Sequence, residues 1–376
     1  MKILICPDKF KGSLTAREVC DAVGAGLARL PPRFVIQSVP LADGGEGTCE
    51  LLTSWHGGNQ ISLQVTGPLF SPVTARYGVS SDGATAFIEM AEASGLSILR
   101  PEERNPLITT SVGTGELIAD ALKRGVRNIV LGIGGSATND AGIGMASALG
   151  FEFYGAGGEL LTPTGENLIH IRHIGSDHVH PKLGTARITA LCDVTNPLYG
   201  PDGAAYVYGP QKGADKVAVE LLDAGLRNFR RVAHKHQRIS VDFPGAGAAG
   251  GLGAGARVFL NAVIRKGIDH VIESTGLDEK IRLADVVITG EGRLDWQTFS
   301  GKVVSEVLKL AEKRSKPVIA ICGSCELTEE ETLARGIARV ISLVDDDTSS
   351  ESAIQNAATH IARKVAEECK GLPGFN

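Results

Sequence analysis

The chain has 376 residues, 43% of them hydrophobic and 22% charged, with a formal net charge of −5. That length allows two domains with separate cores, and the charge balance excludes the basic surfaces that favour nucleic acid or an anionic membrane. No window approaches the roughly 18 uninterrupted apolar residues of a membrane helix, and the opening "MKILICPDKFKGS" is too short an apolar run for a signal peptide. A cytoplasmic enzyme is the expectation, and seven widely scattered cysteines suit a reducing compartment.

In chain order, "KILIC" (2–6) reads as a short buried strand. A helix follows from Thr15, which forms a capping-box pattern with Glu18. Val19, Ala22, Val23, Leu27 and Leu30 recur at helical spacing, and Pro31 with Pro32 ends the run. "FVIQSVPL" (34–41) is a second strand, with a Gly-rich turn and a helix near 46–56 behind it. Near the other end, "ADVVITG" (284–290), "KPVIAIC" (316–322) and "ARVISLV" (338–344) supply three more strands with helical segments between and after them. Together these predict an α/β protein whose first domain, residues 1–61 with 283–376, is a flavodoxin-like, doubly wound, parallel five-stranded sheet built from both chain ends. Residues 62–282 are expected to form an inserted α/β domain, with strand-like runs in "AFIEMAEASGL", "NIVLGIGG" and "RITALCDV".

Polar motifs directly follow the predicted strands: "PDKFKGS" (7–13), "LADGGEGT" (41–48) and "TGEGRLD" (289–295). The carboxyl ends of parallel strands are where such sheets bind ligands, so Lys11, Asp43, Glu46, Glu291, Arg293 and Asp295 are expected around one crevice. In the insert, "GIGGSATND" (132–140) and "CDVTNP" (192–197) stand in the same position. A Gly-rich turn after a strand offers backbone N–H groups to an anion. Gly132, Gly134 and Ala137 also fit a dinucleotide fingerprint, but "GAGAAG" (245–250) fits it too. No convincing acidic residue follows at ribose distance, so the fit is read as a coincidence of glycine spacing.

Other clusters have plainer readings. His170, His173, His178 and His180 match no zinc spacing and read as a solvated loop. Cys322 and Cys325 read as a strand end followed by a turn, not as a redox pair. "VDDDTSS" (344–350) reads as a capping loop, and "RNFRRVAHKHQR" (227–238) as the basic face of a helix. Carboxylates that hold Mg²⁺, basic groups and Gly-rich turns suit phosphoryl transfer. Neither a P-loop motif nor the protein-kinase signature set is present.

"PDKFKGSLTA", "PLADGGEGT", "TTSVGTGELI", "GIGGSATNDAGIG", "CDVTNPLYG", "YGPQKGA", "PGAGAAGGLGAG" and "ITGEGRLD" occur here in this order. In these motifs the chain resembles the bacterial type I glycerate kinases from its first strand to its last third. The resemblance implies transfer of the ATP γ-phosphate to D-glycerate with Mg²⁺, giving 2-phosphoglycerate in most members and 3-phosphoglycerate as the alternative. It also implies a flavodoxin-like domain from both chain ends with an α/β insert. Lys9 stands where many members have Ser, and Trp296 and Phe299 depart from the smaller residues expected there.

Charge and position then suggest roles. Asp193 is the first choice to face the acceptor hydroxyl and Asp43 the second. Lys11 and Arg293, with Lys9 beside them, would offset phosphate or carboxylate charge. Gly134, Gly135, Ser136, Asn139 and Asp140, with Asn196, would bind substrate or nucleotide, and Glu291 and Asp295 would support the metal. An NAD-dependent oxidoreductase and a non-catalytic small-acid-binding protein are the competing readings. Small molecules, D-glycerate and ATP, are the expected partners, with no nucleic acid and no membrane; a homo-oligomer is left open.

Overall fold

The computed structural model describes residues 1–376 except 32–33, 238–239, 300, 346–347, 371–374 and 376. Pro32, Arg238, Asp346 and Asp347, which the sequence reading uses, therefore lie outside the described residues. In chain order the strands are β1 (Lys2–Ile5), β2 (Val35–Ser38), β3 (Asn59–Thr66), β4 (Pro72–Val79), β5 (Thr85–Glu89), β6 (Asn128–Gly132), β7 (Glu152–Tyr154), β8 (His173–Gly175), β9 (Arg187–Leu191), β10 (Val263–Arg265), β11 (Val286–Leu294), β12 (Val318–Cys325) and β13 (Ile337–Ser342).

The chain divides into two compact units, Met1–Asp43 with Ile268–Asn376, and Gly44–Gly267. In the first, five parallel strands run in the order β13-β12-β11-β1-β2. This is the flavodoxin-type order, assembled from the two chain ends as the sequence predicts. The helix Ala16–Leu27 starts at Thr15, whose hydroxyl accepts the Glu18 N–H while the Glu18 carboxylate accepts the Thr15 N–H. Its apolar stripe, Val19, Val23 and Leu27, packs with Ile3, Ile5, Ile288 and Val365. Leu4 and Val287 alternate with that set and are equally buried outside it, so both faces of the sheet are covered. Gly26 lets this helix lie close to the helix Ala357–Glu368, because a Cβ there would stand 2.7 Å from the Ala362 carbonyl oxygen.

The larger unit holds a six-stranded sheet, β10-β9-β6-β5-β4-β3, parallel from β10 to β5 and closed by an antiparallel β4–β3 hairpin edge. Ile88, Leu131 and Ala190 are buried beside Leu117, Leu222 and Phe259 in its core. Phe259 meets the rings of Phe151, Phe153 and Phe229 at centroid distances of 5.0, 5.6 and 5.9 Å.

Three local readings need correction. The units divide at 43/44 and 267/268, not at 61/62 and 282/283. The helix Thr48–Trp55 packs on β4, β5 and β6 of the larger unit, and its first turn is held by Glu89 Oε1, which accepts the N–H groups of Gly47 and Cys49 at 2.9 Å. The helix Leu277–Leu283 instead packs on β1 and on the helix Val303–Lys313. The "TGEGRLD" motif is mostly strand: β11 continues to Leu294 because Glu291 and Arg293 stay in register with Cys322 and Ser324 of β12. For the same reason Cys322 and Cys325 both lie within β12, with no turn between them.

Candidate functional site

In the smaller unit a cavity of about 570 Å³ is lined by Asp8, Lys9, Lys11, Asp43, Glu291, Arg293, Asp295 and Lys302, among others. Its walls are the loop after β1, the end of the β2 connection and the carboxyl half of β11, which is where a parallel sheet presents ligand-binding groups. Burial, then the charges of Asp43 and Glu291, raise the Asp8 carboxyl to about 7, against the N–H of Lys9, which donates to Oδ1 at 2.7 Å. Burial also raises Glu291, and the nearby Asp295 and Asp43 charges add to this, opposed by a Thr298 hydrogen bond and the Lys302 charge. Glu291 Oε1 is buried with no hydrogen-bond partner. Mutually repelling carboxylates with an unpartnered oxygen are the hard donors a Mg²⁺ ion takes, and that ion uses one or two carboxylates and completes its shell with water and phosphate oxygens. Among the described residues no group of three or more metal-ligating side chains is already gathered as a cage. Arg293 Nη2 pairs with Glu326, and its Nε lies 3.5 Å from Asp295 Oδ2.

The larger unit has its own cavity of about 340 Å³, lined by Gly44, Gly45, Gly134, Gly135, Ser136, Asp193, Tyr208, Lys212 and neighbours. Gly44 (φ +102) permits this packing, since a Cβ there would lie 2.5 Å from Asp193 Oδ2 and 2.6 Å from Gly267 Cα. The exposed Asp193 is oriented by the Gly267 N–H, which donates to Oδ1 at 2.9 Å. Lys212, by contrast, is 3% exposed, and its Nζ donates to Ser136 Oγ and to the Thr138 carbonyl, both at 2.7 Å.

Sequence-predicted residues therefore fall into two groups. Lys9, Lys11, Asp43, Glu291, Arg293 and Asp295 share the smaller unit's cavity, while Gly134, Gly135, Ser136 and Asp193 share the larger unit's. Asn139, Asp140 and Asn196 line neither, and Glu46, expected beside Asp43 and Glu291, belongs to the larger unit and lines neither cavity. Asn139 is buried with both amide atoms unpartnered. Asn196 donates to the Asp202 carbonyl and accepts from the Tyr208 hydroxyl. The helix behind the Gly-rich turn begins only at Ile143, and the anion at its first turn is the chain's own Asp140, which accepts from Gly142 and Gly144 N–H. Asp8 and Lys212 are among the cavity residues that motif reading passed over. Both sit inside quoted motifs, but burial, which gives them their character, depends on distant segments.

The fold is a two-unit α/β architecture with Gly-rich, lysine-bearing and carboxylate-bearing strand ends, the equipment that suits a phosphotransferase. The sequence model of the glycerate kinase family matches residues 3–371. Glycerate 2-kinase of Escherichia coli is 45% identical over 366 residues, covering 96% of each chain, and glycerate kinase of Bacillus cereus is 44% identical, covering 96% of this chain and 95% of that one. A crystal structure from Salmonella typhimurium LT2, of a protein assigned as glycerate kinase 2, superposes with a TM-score of 0.90 at 42% identity, covering 99% of this chain and 98% of that one. The chain belongs to the glycerate kinase family.

Proposed function

We propose that the protein transfers the γ-phosphoryl group of ATP to the 2-hydroxyl of D-glycerate, giving 2-phosphoglycerate. One observation carries this: a chain 45% identical along nearly its whole length to a glycerate 2-kinase also gathers Asp8, Asp43, Glu291 and Asp295 with Lys9, Lys11 and Lys302 at one cavity. Phosphoryl transfer needs little covalent chemistry from the protein and much positioning and charge compensation.

Glu291 and Asp295 are the residues assigned to Mg²⁺, with Asp43 and Asp8 beside them. When bound, the ion offsets charge on the transferred phosphoryl group. Lys9, Lys11 and Lys302 supply ammonium groups to anionic oxygens of the substrates. Arg293 adds to these only by exchanging its Glu326 pairing for a ligand oxygen. Asp193, held by the Gly267 N–H, is assigned to orient the acceptor hydroxyl and take its proton, with Asp43 as second choice. A cytoplasmic location goes with the reading, supported by free thiols at all seven cysteines and by the absence of a membrane-spanning helix among the described residues.

The test is ADP release from ATP by the purified chain with and without D-glycerate. Release that depends on D-glycerate supports the proposal. NADH quenching of the two tryptophans with no response to ATP would favour an oxidoreductase, and glycerate binding without turnover a binding protein.

A further inference from the structure

Among the described residues, Lys212 is the only lysine lining the larger unit's cavity, and its surroundings are unusual for a cation. Burial dominates its environment and lowers its pKa to about 7, with only the Asp140 charge pulling the other way. Asp140 does not neutralise it by contact. That carboxylate accepts hydrogen bonds from the Ser111 N–H, the Ser111 hydroxyl and the N–H groups of Gly142 and Gly144. An ammonium has three N–H donors. Two of those on Lys212 hold Ser136 Oγ and the Thr138 carbonyl, which leaves one for whatever enters the cavity.

Besides the neutral polar groups of Ser136, Tyr208 and Gln211, the remaining lining offers little that competes. Gly44, Gly45, Gly134 and Gly135 present backbone, and Ala248 and Ala249 present methyl groups. The one carboxylate among the described lining residues, Asp193, already accepts from Gly267. A buried cation without a contacting anion is costly, and a ligand anion beside it removes that cost.

We propose that Lys212 binds an anionic oxygen of a substrate in the larger unit's cavity, either the carboxylate of the acid or a phosphate of the nucleotide, while holding the turn 134–138 in its binding shape. This rests on the kinase reading and adds to it the residue through which the Gly-rich turn acts. The turn thus recognises anions through a side chain from 76 positions further along the chain, together with its own backbone.

The test compares the full chain with Lys212→Met, an unbranched neutral replacement, by calorimetric titration with ADP and separately with D-glycerate. Loss of one charge-assisted contact should weaken one of the two ligands by at least about 10-fold and leave the other within about 3-fold. Which ligand is lost tells the phosphate source from the carboxylate source. Unchanged affinity for both would overturn the proposal. So would equal loss of both with a lowered melting temperature, which would make Lys212 a strut of the turn alone. If Lys212→Met does not fold, co-crystals of the wild-type chain with ADP and with D-glycerate decide. Support is Nζ within about 3.2 Å of a ligand anionic oxygen, and its absence from both complexes is refutation. Wild-type binding of both ligands without turnover would instead overturn the kinase reading and leave the Lys212 comparison intact.

Discussion

Oδ2 of Asp140 accepts two hydrogen bonds from one residue, the Ser111 N–H at 2.8 Å and the Ser111 hydroxyl at 2.7 Å. Ser111 in turn receives the Met145 N–H on its Oγ, so the turn 132–142, the helix Ile143–Ala148 and the helix Val112–Lys123 share one buried carboxylate. Burial raises the Asp140 carboxyl, and these hydrogen bonds oppose that rise. Asp140→Ala orphans several buried donors at once, so it should cost about 3 kcal/mol or more in urea unfolding. A fold of unchanged stability that had lost ligand binding would instead place Asp140 against substrate.

Asp8 gives a pH signature. Its folded pKa of about 7 lies above the ordinary 3.8, so its favourable contribution is complete below about pH 4 and is lost as pH rises through 7. Asp8→Asn keeps the neutral shape at every pH. Relative to wild type it should therefore be more stabilising at pH 8 than at pH 5 in matched urea melts, and an equal difference at both would contradict the shift.

Much of the smaller unit was legible because its signals are local. The Thr15–Glu18 capping box, the spacing of Val19, Val23 and Leu27, and the short apolar strands each depend on neighbours within a few positions. The β3–β4 hairpin was missed although Ile61, Leu63 and Val65 alternate as an edge strand should. Its side chains are mostly half-buried or exposed, which weakens the apolar contrast. Where β11 ends was not legible either, since pairing with β12 carries the strand through two glycines that read as a turn. For the cavities, residue type and strand-end position were enough to point to Asp43, Glu291 and Asp193. Lys212 was hidden because a lysine in a polar motif shows its burial only once Ser136 and Thr138 are folded over it.

Asp193→Asn removes the proposed proton acceptor while keeping an oxygen for the Gly267 N–H. Turnover should fall by roughly 10²-fold or more with KM for D-glycerate little changed. Near wild-type kcat in a folded variant would take Asp193 out of the mechanism.

Glu291→Gln keeps the side-chain size and removes one of the repelling charges. The Mg²⁺ concentration for half-maximal activity should rise at least about 10-fold, as expected for loss of a direct or water-bridged ligand. An unchanged Mg²⁺ dependence would move the metal to other carboxylates.

Gly26→Val tests the packing of the smaller unit. The added atoms meet Ala362 and Val365 with no room to shift, and overpacking of this kind costs about 1–3 kcal/mol. A thermal melt at or above the wild-type temperature would contradict the close helix pairing.

Phosphorus NMR of the product formed from ATP and D-glycerate in the presence of Mg²⁺ tests the central claim most directly. The account predicts ADP together with 2-phosphoglycerate in equal amounts. A spectrum in which ATP persists unchanged, or in which the new resonance is that of 3-phosphoglycerate, would contradict it.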